Sequence, residues 1–212
     1  MNKVFFKPWI GENYYSSGIF GKKILVLGES HDCDGCNACG NLKNTNAQCR
    51  ELTSQTIRDF LRFKKGETDH QAWMKAFTNF GNIVNHRHLN AEETNTFWNS
   101  VLYYNFVQSS TGQTKKTQPY KAYVRNSAAF FEVIETHKPD LIIVWGKKLW
   151  DLLPSNGEYA EQDICVEGEN RGSFYYFPID RKKIPAYMIN HPSSQKFDDS
   201  WHPFIHKAIE LA

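Results

Sequence analysis

Two runs of four in this chain carry only branched aliphatic side chains: Ile24-Leu25-Val26-Leu27, ending at Gly28, and Leu141-Ile142-Ile143-Val144, followed by Trp145 and Gly146. A strand with one wet face alternates apolar and polar residues. A strand with no alternation must be buried on both faces, as happens in parallel sheets sandwiched by helices. Helical spacing stands between and around these runs. It covers Thr53 to about Phe63, with Ile57, Phe60 and Leu61 on one stripe, then residues 71–80, a short "EETNTFWNS" segment, and Lys121 to His137. The last of these has the stripe Val124, Ala128, Phe131 and Ile134 and is closed by Pro139. "VLYYNFVQ" (101–108) reads as another strand, residues 164–180 as short strands and turns, "PAYMINHPSS" as a final strand and "WHPFIHKAIELA" as a closing helix. The alternation predicts an α/β fold with a mainly parallel sheet. It predicts one domain over 1–212 with a Cys-rich loop at 31–50.

Charge limits the partners. The net charge of +2 excludes a basic coat, so contact with nucleic acid requires a local patch. Aromatic residues make up 15% of the chain, enough to fill a core and leave rings for a binding slot. No apolar run approaches the roughly 20 residues of a membrane span. The opening "MNKVFFKPWIGENYY" lacks the pattern of a secretory signal, so the expected location is cytoplasmic, with reduced cysteines.

In open α/β sheets, ligands bind beyond the carboxyl ends of the strands. The residues leaving the strands there are Gly28-Glu29-Ser30-His31, then Asn105 with Gln108 beyond it, then Gly146-Lys147, and finally Asn190-His191-Pro192-Ser193-Ser194. A carboxylate, an amide and an imidazole on one rim could read a polar heterocycle and activate water beside it. Each also has a structural reading, since buried polar groups need partners whether or not they catalyse. Tyr103, Tyr104, Trp145 and Trp150 read as core, and Cys165 as a small core residue. His86 and His88 read as a solvated loop, and His202 and His206 as surface.

"ILVLGES", "YYNFVQ", "KPDLIIVWGKKLWDLL" and "NHPSS" occur in the order found in the uracil-DNA glycosylase superfamily, which the chain resembles over roughly residues 22–207. The likeness is to an uncharacterised bacterial branch. It implies a three-layer α/β/α sandwich around a central four-stranded, mainly parallel sheet. It implies a hydrolase that flips out a base, uracil or another damaged or modified one, and cleaves its N-glycosidic bond in DNA repair. Position by position, Glu29 matches the carboxylate that helps water attack, and His191 the imidazole that stabilises the departing base. Asn105 matches the base-reading amide, with Ser30 and His31 beside it. Ser193 and Ser194 match phosphate-gripping hydroxyls, and Phe197 the apolar wedge that enters the emptied stack. The chain departs from the pattern in having no proline after Ser30 and no ring close behind the first motif; Tyr14, Tyr15 and Tyr120 are the candidate stacking rings. No lysine stands where the sequence assigns it as a Schiff-base nucleophile, so a glycosylase on this chain is expected to be monofunctional. The alternative is a non-catalytic module that binds nucleic acid or a nucleobase on the same fold. A third possibility is hydrolysis of a free nucleoside or nucleotide.

Cys33, Cys36, Cys39 and Cys49 place four thiols within 17 residues. Four thiolates can surround one Zn2+ tetrahedrally, and the Cys-x2-Cys-x2-Cys triplet also suits a [4Fe–4S] cluster. Some glycosylases of the superfamily carry such a cluster, on cysteines spaced differently from these. Zinc is the expected ligand, with a cluster or free thiols as the alternatives.

Overall fold

The computed structural model describes residues 3–31, 46–109, 120–154, 158–159 and 174–212, with backbone alone at 120–123 and 158–159. Its strands are β1 (Trp9–Ile10), β2 (Ile24–Gly28), β3 (Leu102–Asn105), β4 (Leu141–Trp145), β5 (Glu158–Tyr159), β6 (Phe174–Ile179) and β7 (Lys182–Ile189). Its helices are α1 (Ala47–Arg50), α2 (Leu52–Lys64), α3 (Met74–Val84), α4 (Ala91–Trp98), α5 (Tyr120–His137), α6 (Lys147–Trp150) and α7 (Trp201–Leu211). The α/β class is as expected. No helix among the described residues is long and apolar enough to cross a membrane.

The sheet has seven strands in the order β1-β3-β2-β4-β7-β6-β5. Four adjacent strands, β3, β2, β4 and β7, are mutually parallel. The expected four-stranded sheet is therefore an undercount: β1 joins β3, and β6 joins β7, both antiparallel, and β5 extends β6. The omission has a physical cause. These edge strands are not uniformly apolar, and Pro178 and Pro185 sit inside the β6–β7 pair, where proline normally argues against a strand. Asp180, at φ +54°, makes the tight reversal between them, with Ile179 opposite Lys182.

Alternation along the parallel strands sorts the core into two layers. Ile24, Val26, Tyr103, Ile143 and Trp145 face one way and pack with buried side chains of α2, α3, α4 and α7. Leu25, Leu27, Leu102, Tyr104, Ile142 and Val144 face the other way and pack with α5 and α6. Fully burying each such side chain stabilises the fold by about 1.5–3 kcal/mol, which is why both layers are dense with aromatic and branched residues. On α5 the buried face is Asn126, Ala129, Phe130, Val133 and Ile134, while Val124 is exposed, so the expected stripe is rotated. Asn126 hid the true face: it is buried because its Oδ1 accepts the backbone N–H of Gln108.

Two further corrections concern α7. His202 and His206 are half-buried rather than surface residues, and they donate to the last carbonyls of α3, at Ile83 and Val84 (both 2.9 Å). Their ring centroids lie 4.2 Å apart with the planes tilted, and that of His86 lies 4.4 Å from that of His202. Imidazoles from a neighbouring helix thus take carbonyls that the end of α3 leaves without intrahelical partners.

Candidate active site

The register of the parallel strands decides which side chains can meet. Gly28 lies opposite Asn105, Leu27 opposite Val144, and Trp145 opposite Ile189. The four carboxyl ends are therefore nearly level, and the residues expected at the rim leave from one edge of the sheet. Asn105 ends β3 and His191 follows β7, the two outer strands of the parallel four. Roughly 14 Å of sheet separates these strands, three spacings of about 4.8 Å. Between them β2 ends in Gly28, and Gly146 follows the end of β4.

Both glycines are required by their surroundings. A Cβ on Gly28 would stand 2.2 Å from Asn105 Oδ1 and 2.5 Å from the Tyr103 hydroxyl. Gly146 has φ +91°, a conformation that costs other residues energy, and a Cβ there would come within 3.2 Å of His191 Cβ. Side chains from the outer strands can therefore lean over the inner strand ends.

On the β3 side the site is closed. Asn105 is 3% exposed. Its Oδ1 accepts the Tyr103 hydroxyl (2.9 Å), and its Nδ2 lies 3.2 Å from both ring nitrogens of His31. His31 Nε2 shares a hydrogen bond with the buried Thr53 hydroxyl (2.9 Å), and Phe6 meets the His31 ring edge-on at 4.8 Å. Burial pushes the His31 pKa down to about 4, so the ring is neutral at pH 7. Gln108 braces this corner: its Oε1 accepts the N–H groups of Phe5 and Phe6, and its Nε2 donates to the Asn105 carbonyl. The N-terminal arm is thereby fixed against the end of β3.

On the β7 side the site is open. Glu29, with its side chain 26% exposed, is ion-paired with Lys148, whose side chain is 76% exposed. His191 is lowered in pKa by burial, against an opposing pull from the nearby negative charge of Glu29. The Ser193 backbone N–H donates to His191 Nδ1 (3.2 Å), and the Ser193 hydroxyl lies 2.8 Å from the same nitrogen. With Nδ1 accepting, the neutral ring carries its proton on Nε2, an assignment made from these bonds. Trp145 meets the imidazole edge-on at 5.9 Å. The loop is tied down by Asn79 of α3, which donates to the Pro192 carbonyl (2.8 Å), and by Asn190, which donates to the Lys196 carbonyl (3.0 Å).

The expected residues thus fall into two groups. Asn105 and His31 touch each other; Glu29 and His191 sense each other's charge. Among the described residues, no hydrogen bond joins the two groups. Ser30 is half-buried between them in sequence, Ser193 is exposed, and Ser194 is half-buried with its N–H on the His191 carbonyl. Phe197 is a correction: it is 5% exposed and packs on Trp201, so it belongs to the core and does not project as a wedge. The exposed side chains of that turn are Gln195 and Lys196.

Tyr14 and Tyr15 are also displaced from the expected role. Both hydroxyls contact His137, at the end of α5 that leads into the amino end of β4, far along the sheet from the site. The ring against the His31–Asn105 corner is Phe6. The side chain of Tyr120 lies outside the described residues, as do Cys33, Cys36, Cys39 and Cys165. Cys49 sits half-buried in α1, and no metal-binding group occurs among the described residues.

Three contributors were not picked out from the sequence. Tyr103 precedes Asn105 by two residues, which puts both side chains on one strand face, so period-two spacing was the available signal. Phe6 and Lys148 carried no such signal. No family model and no curated protein matches the chain.

Proposed function

We propose that the chain is a DNA glycosylase-like hydrolase of the uracil-DNA glycosylase type. In this reading the four parallel strands are the superfamily's sheet, and the antiparallel strands are additions at its edges. The observation that carries the proposal is that Glu29, Asn105 and His191, the last with Nδ1 accepting from the Ser193 N–H, leave three parallel strands whose carboxyl ends are nearly level. A flipped base would be read by the Asn105 amide, with Ser30 and His31 beside it. As the glycosidic bond breaks, negative charge grows on the base. A preset N–H such as His191 Nε2–H stabilises that charge, an effect typically worth about 10²–10³ in rate. Glu29 orients water toward the anomeric carbon. Ser193, on the exposed turn, would take a backbone phosphate.

Oligonucleotides bearing uracil, mismatched or modified bases, followed by alkali, test this reading. We expect base release from at least one, falling by about 10²–10³ in Glu29→Gln and in His191→Ala. Unchanged release in both variants would remove the mechanism. A second reading is a binding module that holds a base without cleaving it, in which Glu29 and Lys148 form an ordinary exposed ion pair. Retention of an oligonucleotide without cleavage of any base would select it.

A further inference from the structure

The chain turns sharply at Gly146, and the two lysines that follow diverge. Lys147 Nζ reaches forward along α6 to Asp151 (2.8 Å). Lys148 Nζ crosses from the end of β4 to the end of β2 and contacts Glu29 Oε1. An amine is thus held against the carboxylate that, in the reading above, positions water at the anomeric carbon. A sugar carbon approached by that water would therefore face the amine as well as the carboxylate. With 76% of its side chain exposed, Lys148 is free to swing off the carboxylate.

We propose that Lys148 is the nucleophile of a second activity, a lyase that cleaves the DNA strand at the abasic site left by base release. Its substrate rests on the glycosylase reading. The ring-opened abasic sugar presents an aldehyde at C1′. Glu29 takes a proton from the Lys148 ammonium, the freed lone pair forms the N–C1′ bond, and a second proton passes from that nitrogen to the former carbonyl oxygen, which restores a lone pair on nitrogen. Glu29 returns its proton to the hydroxyl so formed, which leaves as water as the nitrogen lone pair closes the C=N bond. The carboxylate then removes a C2′ proton. The electron pair released becomes the C2′=C3′ bond, and the 3′ phosphate leaves with the C3′–O pair. Water hydrolyses the imine and frees the amine. No electron is gained or lost overall.

The test uses the full chain and duplex DNA carrying a preformed abasic site, with sodium borohydride to reduce the imine to a stable secondary amine. The expected result is a covalent protein–DNA adduct that peptide mapping places on Lys148. It should be lost to background in Lys148→Arg and Lys148→Ala and retained in Lys147→Arg, all with melting temperatures like that of the parent. No adduct in the parent chain, equal yield in the Lys148 variants, or mapping to another residue would overturn the proposal. Free base is measured separately by chromatography. Base release without an adduct removes the lyase and leaves the glycosylase; an adduct on Lys148 without release of any base does the reverse.

Discussion

The two ends of the candidate site obey different physics. At the Asn105 end, His31, Thr53, Tyr103 and Phe6 are buried, and the amide and imidazole have partners on each side. At the His191 end, the acid, the amine and the imidazole stand partly in solvent, and their contacts are charge to charge or within a turn. Buried polar groups lose free energy steeply if a partner is removed, whereas exposed ion pairs contribute little to stability. The closed end should therefore hold a shape, and the open end should hold reactive groups at small cost to the fold.

Substitutions that strain this contrast rank by size. Gly28→Ala drives a methyl into Asn105 Oδ1 and the Tyr103 hydroxyl and should cost about 3 kcal/mol, the upper end of overpacking, read by urea denaturation. A cost near zero would mean that the closed end gives way.

Acid attacks the same end. The folded His31 pKa of about 4 lies below the usual 6.5, so the unfolded chain binds the proton more readily. Its contribution to stability is complete above pH 6.5 and is lost as pH falls from 6.5 toward 4. The total loss is roughly 3 kcal/mol at 1.36 kcal/mol per pKa unit. The parent chain should lose that much more than His31→Gln over this range. Parallel losses would place His31 in water.

Tyr103→Phe removes the hydroxyl from a buried amide oxygen and should cost about 1–3 kcal/mol. At the open end, Lys148→Met should change stability by no more than about 0.5 kcal/mol, because the pair it breaks is largely exposed. A larger loss there would erase the contrast between the two ends.

The same division separates what the sequence displayed from what it hid. The buried strands β2 and β4 were legible because burial on both faces leaves an unbroken apolar run. Of the strands added at the edges, β6 falls in a stretch read as short strands and turns, whereas β1 and β5, two residues each, are too short to leave a pattern. Asn105 and His191 could be placed on the rim because strand ends are visible as changes in composition. Which polar atoms meet depends on register and on backbone torsions, and the sequence does not spell these out. Lys147 and Lys148 are identical neighbours, separated in fate only by the turn at Gly146. Phe197 read as a free apolar side chain in a polar turn until α7 supplied Trp201 to cover it.

The rim is shaped by omission. Of its two inner strands, β2 stops in a residue with no side chain and β4 is followed by one, and the neighbouring groups occupy the vacated volume. Changing what this rim accepts is therefore a task for the outer strands and their loops, because a methyl at Gly28 would meet Asn105 and Tyr103 and one at Gly146 would crowd His191.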